Sequence, residues 1–219
     1  MKTKTAKRHS KGKAAKEPSK EKILSAAKKV FSRHPYGSAT MRMIAGEARI
    51  DHPLIIYYFR SKAVLFETVL NELIKQYKQA LPGWFLGIRE MALVDGVSAY
   101  LDRALVFHFE HPELLRIILL NMTRSVKRGG MVPGYQLIQD IFHMWADGFG
   151  RSPRFNIGPE QMLSFFRCIS LVMMNLIGAR EYHAEIQGMD PKSGEYLSWV
   201  KKQIMFIVVP VLISFQLGE

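Results

Sequence analysis

The stretch ATMRMIAGEARIDHPLIIYYFRSK, residues 39–62, fits two short helical patterns and a tight turn between them, and this spacing constrains the fold more than any other feature of the chain. Thr40 is placed to cap a helix whose inward residues are Met41, Ile44, Ala45 and Ala48. Arg49-Ile50-Asp51 then turns the chain, and Asp51 is placed to cap a second short helix with Pro53 at its first position. In that helix Ile55 and Phe59 are four apart and face inward, while His52, Pro53 and Ile56 lie on the other side, flanked by Tyr57 and Tyr58. So short a helix cannot bury itself, so it is expected to be a projection held by its neighbours. A supporting helix, a tight turn and a second helix with its outer face exposed make helix–turn–helix geometry.

Charge narrows the partner of this segment. Residues 1–62 carry 16 Lys and Arg against Glu17, Glu21, Glu47 and Asp51, a net of +12 that equals the net charge of the whole chain. The remaining residues are neutral. Such asymmetry points to a polyanion for the first quarter of the chain alone, either nucleic acid or an anionic membrane surface. Tyrosine suits the first: its ring packs while its hydroxyl reaches a phosphate oxygen. Lys62, in the first turn of the following helix, adds charge beside backbone N–H groups suited to anions. Arg42 reads either as a phosphate contact or as a solvated surface charge.

The rest of the chain is patterned as helices. Residues 1–18 are basic, nearly without apolar residues and aperiodic, which predicts a disordered tail. A first helix follows from Ser19 as N-cap, with Ile23, Leu24, Ala27, Val30 and Phe31 on one face, and stops at RHPYGS, 33–38. Ser61 caps a further helix carrying Val64, Leu65, Phe66, Val69, Leu73 and Ile74, and Pro82-Gly83 marks its end. Helical patterns recur at about 88–108, 112–126, 134–149, 159–184 and 194–217, with no alternation that predicts a sheet. The most apolar run, 204–217, contains Pro210 and is shorter than the roughly 20 residues a bilayer needs, so it reads as a buried helix.

With those residues in place, the stretch resembles the DNA-binding domain of the TetR family of transcriptional regulators. Thr40, Ile44, Ala45, Ala48, Ile50, Ile55, Phe59, Ser61, Lys62, Leu65 and Phe66 fall in register with the family pattern, and the resemblance covers about residues 19–75. It implies an all-α fold. After the basic tail (1–18) come an N-terminal three-helix helix–turn–helix DNA-binding domain at 19–66, a fourth helix to about 81 as connector, and a C-terminal helical ligand-binding and dimerisation domain at 82–219. The resemblance places Thr40 and Lys62 at the DNA interface by register, and the face and charge pattern adds Arg42, Arg49, His52, Pro53, Ile56, Tyr57 and Tyr58 as candidates. Three positions depart from the family: Arg49 stands where glycine is usual, Asp51 replaces a serine-like cap, and Ile56 replaces a common tyrosine.

The neutral body carries many methionines and aromatics, either an ordinary core or an apolar pocket. The family's C-terminal domains commonly bind an inducer, which implies a small, largely apolar effector without identifying its residues; the candidates offered by the methionine and aromatic pattern are Met122, Phe142, Trp145, Phe149, Phe166 and Met173. The last two helices include the small or flat positions Ser170, Asn175, Gly178 and Ala179; in the family such a pair forms a four-helix homodimer interface. Two-fold symmetry would then present two short helices to successive major grooves of double-stranded DNA.

Catalytic constellations are not apparent. His108, Glu110, His111 and Glu113, the pair His143 and Asp147, and His183 between Glu181 and Glu185 lack metalloenzyme spacing and read as caps or surface residues. Cys168 reads as inert core, and a single cysteine suits a reducing cytoplasm. The expectation is therefore a cytoplasmic, cofactor-free, non-enzymatic repressor that binds a pseudo-palindromic operator as a dimer. The rival is a peripheral membrane-surface protein using its basic N-terminal segment.

Overall fold

In the computed structural model, the described residues are 10–122, 133–134, 136–137, 139–141, 143 and 154–218. Helices α1 (Ser10–Phe31), α2 (Met41–Ala48), α3 (His52–Phe59) and α4 (Lys62–Trp84) lead through a 3-10 turn (Ile88–Glu90) into α5 (Leu93–Glu110) and α6 (Glu113–Met122). After the segment that contains Arg154 come α7 (Pro159–Gly178), α8 (Arg180–Gln187) and α9 (Gly194–Leu217). No strand occurs among the described residues.

Three boundaries differ from the sequence reading. Helix α1 begins at Ser10, so residues 10–18 are helical rather than part of a disordered tail, and Ser19 is interior rather than an N-cap. Lysine and alanine are good helix formers, and their charge and polarity do not prevent a helix; residues 1–9 lie outside the described residues. Helix α4 runs through Pro82 and Gly83 to Trp84, a buried residue that holds the last turn in place. The pattern at 159–184 breaks at Ala179, where Arg180 turns to donate to the Phe109 carbonyl at 3.0 Å and lies 4.9 Å from that ring's centroid. Helix α9 has the bounds its pattern gave and continues through Pro210. Burial of Trp84 beside Pro82 and of Val208 and Leu212 beside Pro210 outweighs the local helix breaking by proline.

Two buried clusters organise the molecule. The first joins Ile23, Ala27, Val30 and Phe31 of α1 to Ile44 of α2, Ile55 and Phe59 of α3, and Leu65, Phe66, Val69 and Leu70 of α4. Phe31 and Phe66 meet edge to face at 4.8 Å, the geometry aromatic quadrupoles favour. The second is built around α9, whose Tyr196, Val200, Ile204, Val208 and Leu212 recur every four residues and turn inward against α5 and α7. Tyr196 is fully buried, and its hydroxyl donates to the Leu176 carbonyl at 2.7 Å, which satisfies its one polar atom.

Candidate functional site

The N-terminal site is assembled by caps. Thr40 Oγ1 accepts the Met43 N–H at 3.1 Å and starts α2. The helix ends at Arg49, whose φ of 53° is left-handed. Its N–H bonds the Ala45 and Gly46 carbonyls, and the Ile50 N–H reaches Ala45 O at 3.1 Å, a Schellman-type end that normally favours glycine. Ser61 Oγ accepts the Val64 N–H at 3.2 Å and starts α4.

Between them α3 differs from expectation in its first turn. Asp51 occupies the N-cap position but makes no side-chain cap hydrogen bond, and Pro53 is the second helical residue rather than the first. A capping side chain accepts from the second or third N–H of the helix. Pro53 has none to give, and the Leu54 N–H already bonds the Asp51 backbone carbonyl at 3.0 Å. The Asp51 carboxylate therefore remains exposed.

Burial of Ile55 and Phe59 fixes the roll of α3 and turns His52, Pro53, Ile56 and Tyr57 outward. Tyr57 is 62% exposed, and its ring meets that of Tyr58 edge to face at 5.4 Å. Tyr58 is half-buried against the first cluster. Thr40, Arg42 and Arg49 are exposed on the same helix–turn–helix unit.

Lys62 is placed differently. Its Nζ donates to the Tyr36 carbonyl at 2.7 Å and the Ala39 carbonyl at 2.9 Å, and stands 4.4 Å from the Tyr36 ring centroid. Partial burial lowers its pKa. The ammonium thus holds the loop that leads into α2, a role the charge pattern could not distinguish from phosphate contact.

A cavity of about 480 Å³ lies beneath, lined mainly by α5, α6, α7 and α9. Phe166 and Met173 are among its lining residues. Met122 is exposed at the end of α6 and is not among the lining residues, while Phe142, Trp145 and Phe149 lie outside the described residues. The sequence reading missed Tyr77, Tyr100 and above all His108. That histidine shares the inward stripe of α5 with Leu101, Ala104 and Leu105 and is 4% exposed, not a cap or surface residue. Burial, with a smaller contribution from His111, pushes its pKa down to about 4, so its imidazole is neutral at physiological pH.

The outer faces of α7 and α9 carry a second feature. On α9, Phe206, Pro210, Ile213 and Leu217 are exposed at spacings of four, three and four, and Phe206 is 81% exposed. On α7, Ser164, Cys168, Leu171 and Asn175 repeat that spacing and are also exposed. Cys168 is therefore not core: it falls on the stripe opposite Met173, Met174 and Ile177. Ser170 lines the cavity, and Gly178 faces α6, where a Cβ would meet Leu119 at 3.2 Å.

Residues 23–69 match the family model described as bacterial regulatory proteins, tetR family. The HTH-type transcriptional repressor SCO4008 of Streptomyces coelicolor is 34% identical over 107 residues, covering 48% of this chain and 51% of that protein. The putative transcriptional regulator SCO4942 from Streptomyces coelicolor shares the fold at a TM-score of 0.56 and 18% identity, over 86% of this chain and 97% of that one. Residues 23–69 are thus similar to the DNA-binding segment of the TetR family. The HTH-type transcriptional repressor NicS of Pseudomonas putida is 32% identical over 101 residues, 45% of this chain and 46% of its own length. The chain spans about half the length of these curated relatives. A TetR-like transcriptional regulator from Rhodococcus sp. RHA1 also shares the fold, with a TM-score of 0.54 at 16% identity over 88% of this chain and 96% of that one. The matched segment takes in the capped α2–turn–α3 unit, and the residues that line the cavity all lie outside it.

Proposed function

We propose that this chain is a ligand-responsive, DNA-binding transcriptional repressor that acts as a homodimer on a pseudo-palindromic operator in the cytoplasm. The observation that carries the reading is the outer face of α3, where His52, Pro53, Ile56 and Tyr57 are held outward by the burial of Ile55 and Phe59. A short helix so held, on the basic quarter of the chain, suits insertion into a major groove. His52 and Tyr57 are the base-reading candidates; Thr40, Arg42, Arg49 and Tyr58 are the phosphate-positioning ones. Lys62 supports the interface from behind rather than touching DNA.

The exposed stripes on α7 and α9 suit a second copy of the chain, because their four-and-three spacing matches helices packing side by side. An apolar effector in the cavity would favour a different spacing of the two α3 helices and so release DNA. The membrane-surface reading rests on the basic N-terminal segment and the apolar last helix, and both α7 and α9 are long and apolar enough to cross a membrane. The inward stripe of α9 packed on α5 favours a core helix.

The test begins with duplex fragments of the source genome retained by the protein, followed by a competition of randomised duplexes between the parent and His52→Ala. A selected palindrome whose base preferences change in His52→Ala supports the reading. Retention on anionic liposomes in preference to DNA would overturn it.

A further inference from the structure

The cavity contains one group that the apolar-effector reading leaves unused. His108 Nδ1 is buried and has no hydrogen-bond partner among the described residues. The side chain lines the cavity and packs beside Tyr77, Trp84 and Phe107, at ring-centroid distances of 5.8, 5.5 and 5.4 Å. An unsatisfied buried polar atom is costly, and in a ligand site it is where polar specificity resides.

We infer that His108 is the polar anchor of the cavity and that the effector is an uncharged, mainly aromatic or aliphatic molecule carrying one hydroxyl group hydrogen-bonded to His108. The inference rests on the cavity being the effector site. A neutral imidazole has one donor and one acceptor nitrogen, and which is which depends on the tautomer. A hydroxyl both donates and accepts, so it satisfies Nδ1 in either tautomer; a ketone or an ether satisfies only one. A charged group on the effector would have to be desolvated among Leu101, Leu114, Ile118 and Met174, where no described lining residue supplies a buried counter-charge. Arg89 and Arg154 also line the cavity, but both are exposed, and Arg154 donates to the Arg89 and Met91 carbonyls. Their charge is solvated and partly committed.

The probes are biphenyl, 4-hydroxybiphenyl and biphenyl-4-carboxylate, titrated into the full-length protein at pH 7.5 by calorimetry. The expected order places 4-hydroxybiphenyl about 10-fold tighter than biphenyl, the effect of satisfying one buried hydrogen bond, with the carboxylate weakest. His108→Phe should bring the hydroxylated and plain probes to equal affinity while biphenyl still binds. His108→Gln, which keeps a hydrogen-bonding side chain, should restore part of the preference. In the parent, the His108 ring-nitrogen resonances should move with 4-hydroxybiphenyl and stay with biphenyl, a readout independent of any substitution. Equal affinities in the parent, a preference for the carboxylate, or a preference surviving His108→Phe would overturn the inference. Discrimination at His108 without any effect of the probes on operator retention would leave it standing and sink the regulatory reading instead. Failure of all three probes to bind would remove the cavity as the site.

Discussion

The two ends of the molecule use burial differently. Around α1–α4, Ile23, Ala27, Phe31, Ile44, Ile55, Leu65, Phe66 and Leu70 are essentially fully buried in one contiguous cluster. Around α5–α9, a cluster of comparable residues encloses about 480 Å³ of open space and leaves the apolar stripe of α9 outside. A close-packed core transmits force and presents a fixed surface, whereas a core with a void is stabilised by whatever fills it. The first end is built to hold a shape and the second to receive one. They meet at Tyr36, whose N–H bonds Asn121 Oδ1 of α6 at 2.8 Å while its carbonyl accepts from Lys62. Helix α6 also lines the cavity through Leu114, Leu115 and Ile118, so one helix touches both the space and the loop that leads into α2.

The contrast breaks most completely at Phe206. If the exposed stripe of α9 is covered by a second copy, Phe206→Asp places a charge at the centre of an apolar contact and should yield a monomer. Operator affinity should then fall by at least about 100-fold, because two half-sites no longer bind as one linked unit. Light scattering and titration of a labelled duplex check the two halves of this expectation. Cys168 supplies an independent readout: it should react with a maleimide more slowly in the parent than in Phe206→Asp. A fully dimeric variant would remove α9 from the interface.

The void should also reveal itself in acid. Burial holds the His108 pKa at about 4 in the folded chain, against an ordinary value of 6.5. The unfolded chain therefore binds more protons between these values, and stability falls as pH drops through that window. At pH 5 the loss from this one group is about 2 kcal/mol relative to pH 7.5. Its ring neighbours Tyr77, Trp84 and Phe107 carry no charge near neutral pH, and the electrostatic influence comes from His111. His108→Phe should lose less stability than the parent over the same interval, read by denaturant midpoints at the two pH values. Parallel losses would mean that His108 is solvated at low pH.

The dense end is sharpened by Lys62. Lys62→Met keeps the aliphatic stem but withdraws two hydrogen bonds from the Tyr36 and Ala39 carbonyls. A cost of about 1–2 kcal/mol in stability follows, since Lys62 is only partly buried and water compensates in part. Binding to unrelated duplexes should keep its salt slope, because no phosphate contact is lost. A slope smaller by about one would return Lys62 to the DNA surface.

How much of this was legible in sequence differs between the two ends for a physical reason. Helical period, caps at Thr40 and Ser61, and the inward pair Ile55 and Phe59 are local properties, and they appear in the structure where the spacing put them. The partner of Lys62, the burial of His108 and the exposure of Cys168 depend on which helix packs where, and no local pattern encodes that. His108 did carry a signal in its place on the stripe of Leu101, Ala104 and Leu105, but the nearby Glu110, His111 and Glu113 suggested a polar surface instead. Loss of an Asp51 cap was also readable, since Pro53 two residues on has no N–H to be capped. A second non-glycine residue at positive φ, Arg60 with φ of 55°, was not foreseen.

The smallest expected effect concerns the other arginine at positive φ. Arg49 closes α2 at φ 53° and ψ 48° with its N–H bonded back to Ala45 and Gly46, a geometry in which a Cβ crowds the backbone and glycine does not. Arg49→Gly removes that crowding but widens the conformational freedom of the unfolded chain, so the two effects partly cancel. The net expectation is a gain of roughly 0.5–1 kcal/mol, seen as a higher denaturant midpoint with an unchanged slope. Operator affinity should fall slightly at the same time if the exposed guanidinium meets phosphate, and the loss should shrink as salt rises. That opposition would explain an arginine kept at a strained position: rigidity given up at the dense end for a charge on its surface. A variant that is less stable than the parent would show that the turn tolerates Arg49 without strain.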